Sequence, residues 1–198
     1  MKIKLMLAIL LSLSVSAAVA YSEEVTEDFS SGEVPSAWPV AKGEWQVQDG
    51  ALVGKEVASD KHAAVLTIPD PHGDSKISFK FRADGMKMFA LSYNHPKGHL
   101  FRVKVDPKMV MLITDKDKKD PASKAETLDK KEFAAKSGEW IEFSCVVKGD
   151  TVMVKVGDVE LSGTHDCLTK GKTGYRFVVA GESVGIDDIV FESAKSDS

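Results

Sequence analysis

The chain of 198 residues carries 26 basic and 30 acidic side chains, a formal net charge of −4, with both signs mixed along its length. That balance gives no electrostatic reason to expect nucleic acid or an anionic membrane surface as partner. The length suits one domain with a real hydrophobic core and no second one.

The first residues, Met1-Lys-Ile-Lys4, lead into an apolar stretch from Leu5 to Val15 and then the small-residue triplet Ala18-Val19-Ala20. This is the pattern of a secretory signal peptide over residues 1–20. The apolar stretch is too short for a transmembrane helix, and no later segment approaches the roughly 20 apolar residues a span needs. No cysteine lies near the cleavage point to carry a lipid. The expectation is a free periplasmic or secreted protein, with one domain over 21–192 and a disordered polar tail over 193–198.

Residues 21–44 are broken by Gly32, Pro35 and Pro39 and read as irregular. Trp45 and Val47 alternate with Gln46 and Gln48, Asp49-Gly50 supplies a turn, and Leu52 and Val53 resume an apolar strand, which together predict a hairpin. Val65 to Ile68 is a short apolar run stopped by Pro69-Asp70-Pro71-His72-Gly73-Asp74. Ile77, Phe79 and Phe81 then alternate with Ser78, Lys80 and Arg82, the period of a strand with one buried face. Met88 to Tyr93 continues in the same fashion. Phe101, Val103 and Val105 alternate with Arg102 and Lys104, and Val110 to Ile113 is apolar throughout.

The charged stretch 114–138 interrupts the strands, and its segment Ala122 to Ala135 is expected to form one short surface helix. Ile141, Phe143, Cys145 and Val147 restore the alternation, followed after Gly149-Asp150 by Val152, Val154 and Val156, and after Gly157-Asp158 by Val159 to Leu161. Two tight turns so close together predict an antiparallel meander. Tyr175 to Val179 and Ile186 to Phe191 close the series. About ten short strands without βαβ alternation predict an all-β domain of two packed antiparallel sheets, a jelly-roll sandwich. Cys145 and Cys167 are either bridged, which in the loop-entropy model stabilises by about 3 kcal/mol, or two buried thiols. The apolar alternation around Cys145 favours a packed, inert role over a catalytic one.

Several stretches resemble a known family. Trp45-Gln-Val47-Gln-Asp49-Gly50-Ala-Leu52, the strand opening Gly138-Glu-Trp140, the Val152 to Leu161 hairpin and the closing Gly185-Ile-Asp187-Asp188 look like the concanavalin-like jelly rolls grouped as 3-keto-disaccharide hydrolase-like domains. Lys61-His62-Ala-Ala, Ser92-Tyr-Asn94-His95, Lys97-Gly-His99-Leu-Phe-Arg102 and Lys172-Thr-Gly-Tyr-Arg176 look like a bacterial exported subset of that group whose role is unknown. The resemblance spans nearly all of the chain after residue 20. It implies a curved double sheet whose concave face holds a sugar, and an activity on oxidised disaccharides in some relatives. No catalytic set of that family falls on matching positions here, and fold alone is a poor guide to chemistry.

The candidate site residues are polar groups at strand ends and on the wet face of strands. His62, Asn94, His95, His99, Arg102, Lys104 and Arg176 form the predicted ligand-binding set, since imidazoles, an amide and guanidinia can bind hydroxyls, move protons or hold a metal. Arg102, Lys104 and Arg176 have the opposite parity to core-like neighbours, which predicts a cationic face carrying histidines. The alternative is that His95 and His99 merely flank the Pro96-Lys-Gly98 turn while the arginines are solvated or ion-paired.

The Glu-x-Asp-x-x-Glu strand of retaining glycosidases is absent from the sequence, and the adjacent Asp187 and Asp188 point to opposite faces. Asp115-Lys-Asp117-Lys-Lys-Asp120 with Glu126 lacks the glycine and one oxygen ligand of a calcium loop and reads as a solvated loop. Jelly rolls resembling this one clamp their first and last strands with a structural calcium, for which Asp28, Asp187 and Asp188 are the hard ligands available here; turn caps and lysine pairs are the competing roles. Trp38, Trp45, Trp140 and Tyr93 are either sugar platforms or packing.

The resulting reading is an exported domain that binds a carbohydrate or related small molecule on its concave face, with hydrolysis or lysis of modified glycosides as the catalytic version. A noncatalytic periplasmic module that meets another protein is the alternative.

Overall fold

The computed structural model describes residues 24–96, 98–117 and 121–194. The signal peptide expected at 1–20 lies outside them, as do 195–198 of the expected tail. Ser193 is paired with Ser75, the Gly73 amide donates to the Ala194 carbonyl, and the Ala194 amide donates to the Asp74 carbonyl.

Thirteen strands are present among the described residues: β1 Val25–Glu27, β2 Val40–Lys42, β3 Glu44–Gln48, β4 Ala51–Lys55, β5 Ala64–His72, β6 Ser75–His95, β7 Gly98–Val105, β8 Met109–Thr114, β9 Thr127–Glu132, β10 Trp140–Lys148, β11 Thr151–Val156, β12 Val159–Thr164 and β13 Lys172–Ser193. All pairings are antiparallel. The first sheet runs β12-β11-β10-β6-β13-β4-β3, with β1 beside the end of β13. The second runs β2-β5-β13-β6-β7-β8-β9.

The long strands β6 and β13 belong to both sheets and pair with each other along almost their whole length, from Gly174↔Asn94 to Ser193↔Ser75. They turn the corner together. The register slips between Ala180 and Gly181, where Gly181, paired with Met86, takes a φ of +103° and Gly85, next to Met86, takes +73°. Bulges and bends of this kind let a strand pass from one sheet to the next. The segments around 84–85 and 181–183, which read as strand breaks in the sequence, are this corner.

The corner folds the two sheets face to face, so that inward residues of β6 come from both layers. Phe79 stacks on Phe143 of β10 at 4.4 Å and meets Phe89 and Phe177 of the opposite sheet edge-on at 5.8 and 5.2 Å. Leu66, Ile77, Phe81, Leu91, Phe101, Val103, Val154 and Ile186 complete a single core. At one side the sheets also meet directly: Asp129 of β9 accepts the Ser162 amide of β12 at 3.2 Å.

The helix expected over 122–135 is a correction. Residues 127–132 form β9, paired with β8 from Met109↔Glu132 to Ile113↔Thr127, and the helical turns among the described residues are two 3-10 turns, Ala58–Asp60 and Asp166–Thr169. The residues of β9 have modest strand propensity, but the open backbone edge of β8 offers them a full ladder. Strand propensity is decided by such context more than by intrinsic preference.

Candidate functional site

The outer face of the second sheet gathers most of the predicted set. Alternation buries Leu91, Tyr93, Phe101, Val103, Tyr175 and Phe177 inward and turns Ser92, Arg102, Lys104 and Arg176 outward. Cross-strand register then places Thr67, Arg176, Ser92 and Arg102 in one row over four adjacent strands. Arg176 and Arg102 stand two strand spacings apart, roughly 10 Å, with Ser92 between them. Lys104 lies in the next row, between Ala90 and Met111.

Each member of the row is held. Arg176 donates from Nε to Thr67 Oγ1 at 3.2 Å. Arg102 donates from Nε to Asp115 Oδ2 at 2.9 Å and from its terminal nitrogen to Asp115 Oδ1, a two-point fork. His99 Nδ1 lies 2.8 Å from Asn94 Oδ1 and 2.6 Å from Ser92 Oγ. A carboxamide oxygen only accepts, so with this Asn94 orientation Nδ1 carries the proton and Nε2 is the basic nitrogen of the neutral ring. Asn94 and Ser92 are buried beneath the imidazole.

Beyond the row, at the end of the sandwich, His95, His99, Asp115, Asp117, Glu126, His165 and Lys170 line a cavity of about 410 Å³. The Asp166–Thr169 turn forms one wall, and His165 Nδ1 caps it by accepting the Cys167 amide at 3.0 Å. His165 and Asp115 were not singled out by the sequence. The register Phe101↔Thr114 sets Asp115 beside the Arg102 end of the row, and the Asp166–Thr169 turn brings His165 to the cavity.

Other expectations land elsewhere. His62 sits before β5, bridged to Val57 with Nδ1 2.7 Å from the Ala63 carbonyl, and five residues of extended chain, roughly 15 Å, separate it from Thr67. The structure does not bring it to the row. Asp28 caps a turn by accepting the Ser30 amide at 3.0 Å, and the Ser30 hydroxyl together with that amide lowers its pKa. Asp187 and Asp188, expected on opposite faces, both reach Lys80 at 3.2 and 2.7 Å, because the register slips between Asp187 and Val190 and Asp188 takes a φ of +51°. Although β1 does pair with β13, these acids take the competing roles, and no cluster of three metal-ligating side chains occurs among the described residues. In the charged loop, Asp117 is an ion-pair partner of Lys170 at 3.7 Å, and Asp120 lies outside the described residues.

The aromatic candidates are packing groups. Tyr93 is buried, Trp38 meets Phe29 edge-on at 6.1 Å, and Trp45 covers the bare face of Gly54. Trp140 is 39% exposed on the first sheet, but Arg82 and Lys80 lie over its ring at 5.0 and 5.2 Å and engage its π surface.

Cys145 and Cys167 are both free and buried, so the bridge is not formed. Burial raises the thiols to about 12 and about 11, and it lowers the nearby Lys172 amine to about 8. These shifts predict an alkaline stability profile. Between about pH 8 and 9 the unfolded chain binds more protons than the folded one through Lys172, so stability rises slightly with pH. Above about pH 9 the unfolded thiols ionise while the folded ones do not, the unfolded chain binds fewer protons, and two thiols outweigh one amine. Denaturant midpoints measured from pH 7 to 11 should therefore pass a shallow maximum and fall. A Cys145→Ala, Cys167→Ala variant should fall less.

No family model matches the chain, and no curated protein matches it. Solved structures do. The carbohydrate-binding module CBM66 from Bacillus subtilis superposes with a TM-score of 0.64 at 12% identity, over 79% of this chain and 96% of that one. The Crh5 transglycosylase gives 0.66 at 12% identity, over 88% and 86%. The Bacillus licheniformis β-glucanase gives 0.61 at 7% identity, over 87% and 98%. At such identities the likeness is one of architecture, and it agrees with the strand order above: the described chain is a jelly-roll β-sandwich.

Proposed function

We propose that this chain is an exported domain that binds carbohydrate across the outer face of its second sheet. The observation that carries the reading is the row Thr67, Arg176, Ser92 and Arg102, with His99 and Asp115 fixed beside it. A sugar ring offers adjacent hydroxyls that both donate and accept. The row and its flank answer with guanidinium donors, the Asp115 carboxylate, the Thr67 hydroxyl, and an imidazole held in one orientation over the buried Ser92. Arg102, Lys104 and Arg176 outnumber the one carboxylate, which favours sugars bearing acid groups. The neighbours named as a carbohydrate-binding module, a transglycosylase and a glucanase support a sugar ligand on this architecture. Binding without turnover is the simpler version, because the row presents a single carboxylate and that one is engaged by Arg102. Processing of 3-keto glycosides would use His99 Nε2 as the base.

Calorimetric titration with neutral, 3-keto and uronate-containing oligosaccharides, chosen from a glycan array, tests this. Arg176→Ala is expected to weaken the strongest ligand roughly 10- to 100-fold, the worth of a charged hydrogen bond, with little change in melting temperature. Binding to no glycan, or an Arg176→Ala affinity equal to that of the parent, would overturn the reading and favour a protein partner.

A further inference from the structure

Five buried side-chain atoms among the described residues have no hydrogen-bond partner in the protein: Asp70 Oδ2, His72 Nε2, Ser75 Oγ, Tyr93 Oη and Tyr175 Oη. All five belong to one cluster inside the sandwich. The His72 ring stacks on Tyr175 at 4.8 Å and meets Tyr93 edge-on at 6.0 Å, and the two phenol rings are 5.0 Å apart. The Ser75 hydroxyl stands near both phenols, the Cys145 thiol near Tyr93 and the Asp70 carboxylate near Tyr175, but none of these approaches has hydrogen-bond geometry. Ser193, the cross-strand partner of Ser75, donates to the other Asp70 oxygen at 3.2 Å. His72, Ser75, Tyr93 and Tyr175 are fully buried.

An unpaired polar group in an interior is costly, and five in one place would cancel a large part of the stability a domain of this size has. The chemistry of the five says what would pair them. His72 Nδ1 lies 2.6 Å from the Asp70 carbonyl, which can only accept, so Nδ1 carries a proton and Nε2 needs a partner of its own. Asp70 Oδ2 lies 3.2 Å from the same Nδ1, whose proton is committed to the carbonyl, and needs a donor. The three hydroxyls can both give and take. A partner must therefore donate to Asp70 Oδ2, be able to give or take at His72 Nε2 and the hydroxyls, and be small enough to sit among three rings. Water meets all three conditions.

We propose that the cluster of Asp70, His72, Ser75, Tyr93 and Tyr175 is an internal hydration site, in which bound water joins these side chains into one network between the two sheets. The site is separate from the outer face described above and does not depend on any sugar binding there.

A high-resolution crystal structure of the domain, together with melting curves of Tyr93→Phe and Tyr175→Phe, tests it. Each substitution keeps the ring and removes one hydroxyl. Water density bonded to two or more of the five atoms is expected, with each variant melting about 2–4 °C lower because a bonded hydroxyl has been lost. A dry cluster would overturn the proposal, as would variants that melt higher than the parent, the result of deleting a hydroxyl that had no partner. Density that only a larger solute fits would overturn the assignment to water.

Discussion

Gly181→Ala is expected to lose a large share of the domain's stability. At a φ of +103° an L-residue is strained, and a Cβ built there would lie 2.5 Å from the Lys87 amide nitrogen and 2.8 Å from the Gly85 carbonyl oxygen. Both obstacles are backbone of β6, the strand that bends beside β13, so neither can swing aside as a side chain would. Strain and overpacking together should cost about 3–5 kcal/mol, a large share of the 5–15 kcal/mol typical of a domain. Gly50→Ala is the control. It too has positive φ, at +76°, but nothing within 4 Å of the new Cβ, so only the strain of about 1–2 kcal/mol should appear. Urea denaturation followed by circular dichroism separates the two, and a Gly181→Ala midpoint within error of the parent would refute the corner's role.

Phe79→Ala should be nearly as damaging. The ring touches both layers, stacked on Phe143 within its own sheet and edge-on to Phe89 and Phe177 of the other. Truncation removes that contact area and leaves a hole that two sheets pinned by shared strands cannot collapse to fill. A loss of about 3–5 kcal/mol is expected. Phe79→Leu, which keeps most of the volume, should cost about 1–2 kcal/mol. Equal midpoints for the two variants would mean that cavity formation is not what the alanine measures.

Much of the fold was legible because period-2 patterning is a local signal. The meander of β10, β11 and β12 falls where Gly149 and Gly157 mark its turns, and the parity of Arg102, Lys104 and Arg176 correctly turned them away from the core. What local pattern cannot hold is pairing between distant residues. Asp115, read as part of a solvated loop, is the ion-pair partner of Arg102 only because β7 and β8 align Phe101 with Thr114. Ser92 looked like one more residue of an apolar strand until register set it between two arginines. His62 shares residue type with the site but not its place on the sheet. The segment after Ala122 has helix-forming composition, and its strand state is imposed by the open edge of the preceding strand β8, which the segment's own pattern does not contain.

The sharing of β6 and β13 also governs when this protein can fold. β13 sits in the interior of both sheets, with β6 on one side and β1, β4 or β5 on the other, yet in chain order it follows every other described strand. Until it arrives, neither layer can close, and β4, β5 and β6 present bare backbone edges. Assembly must therefore wait until the twelve described strands before it have been made and proceed through pairings remote in sequence, a slow route that exposes the nascent chain to association with its own kind. A chain stopped before residue 172 would leave no half-domain behind, since the same missing strand unmakes both sheets at once.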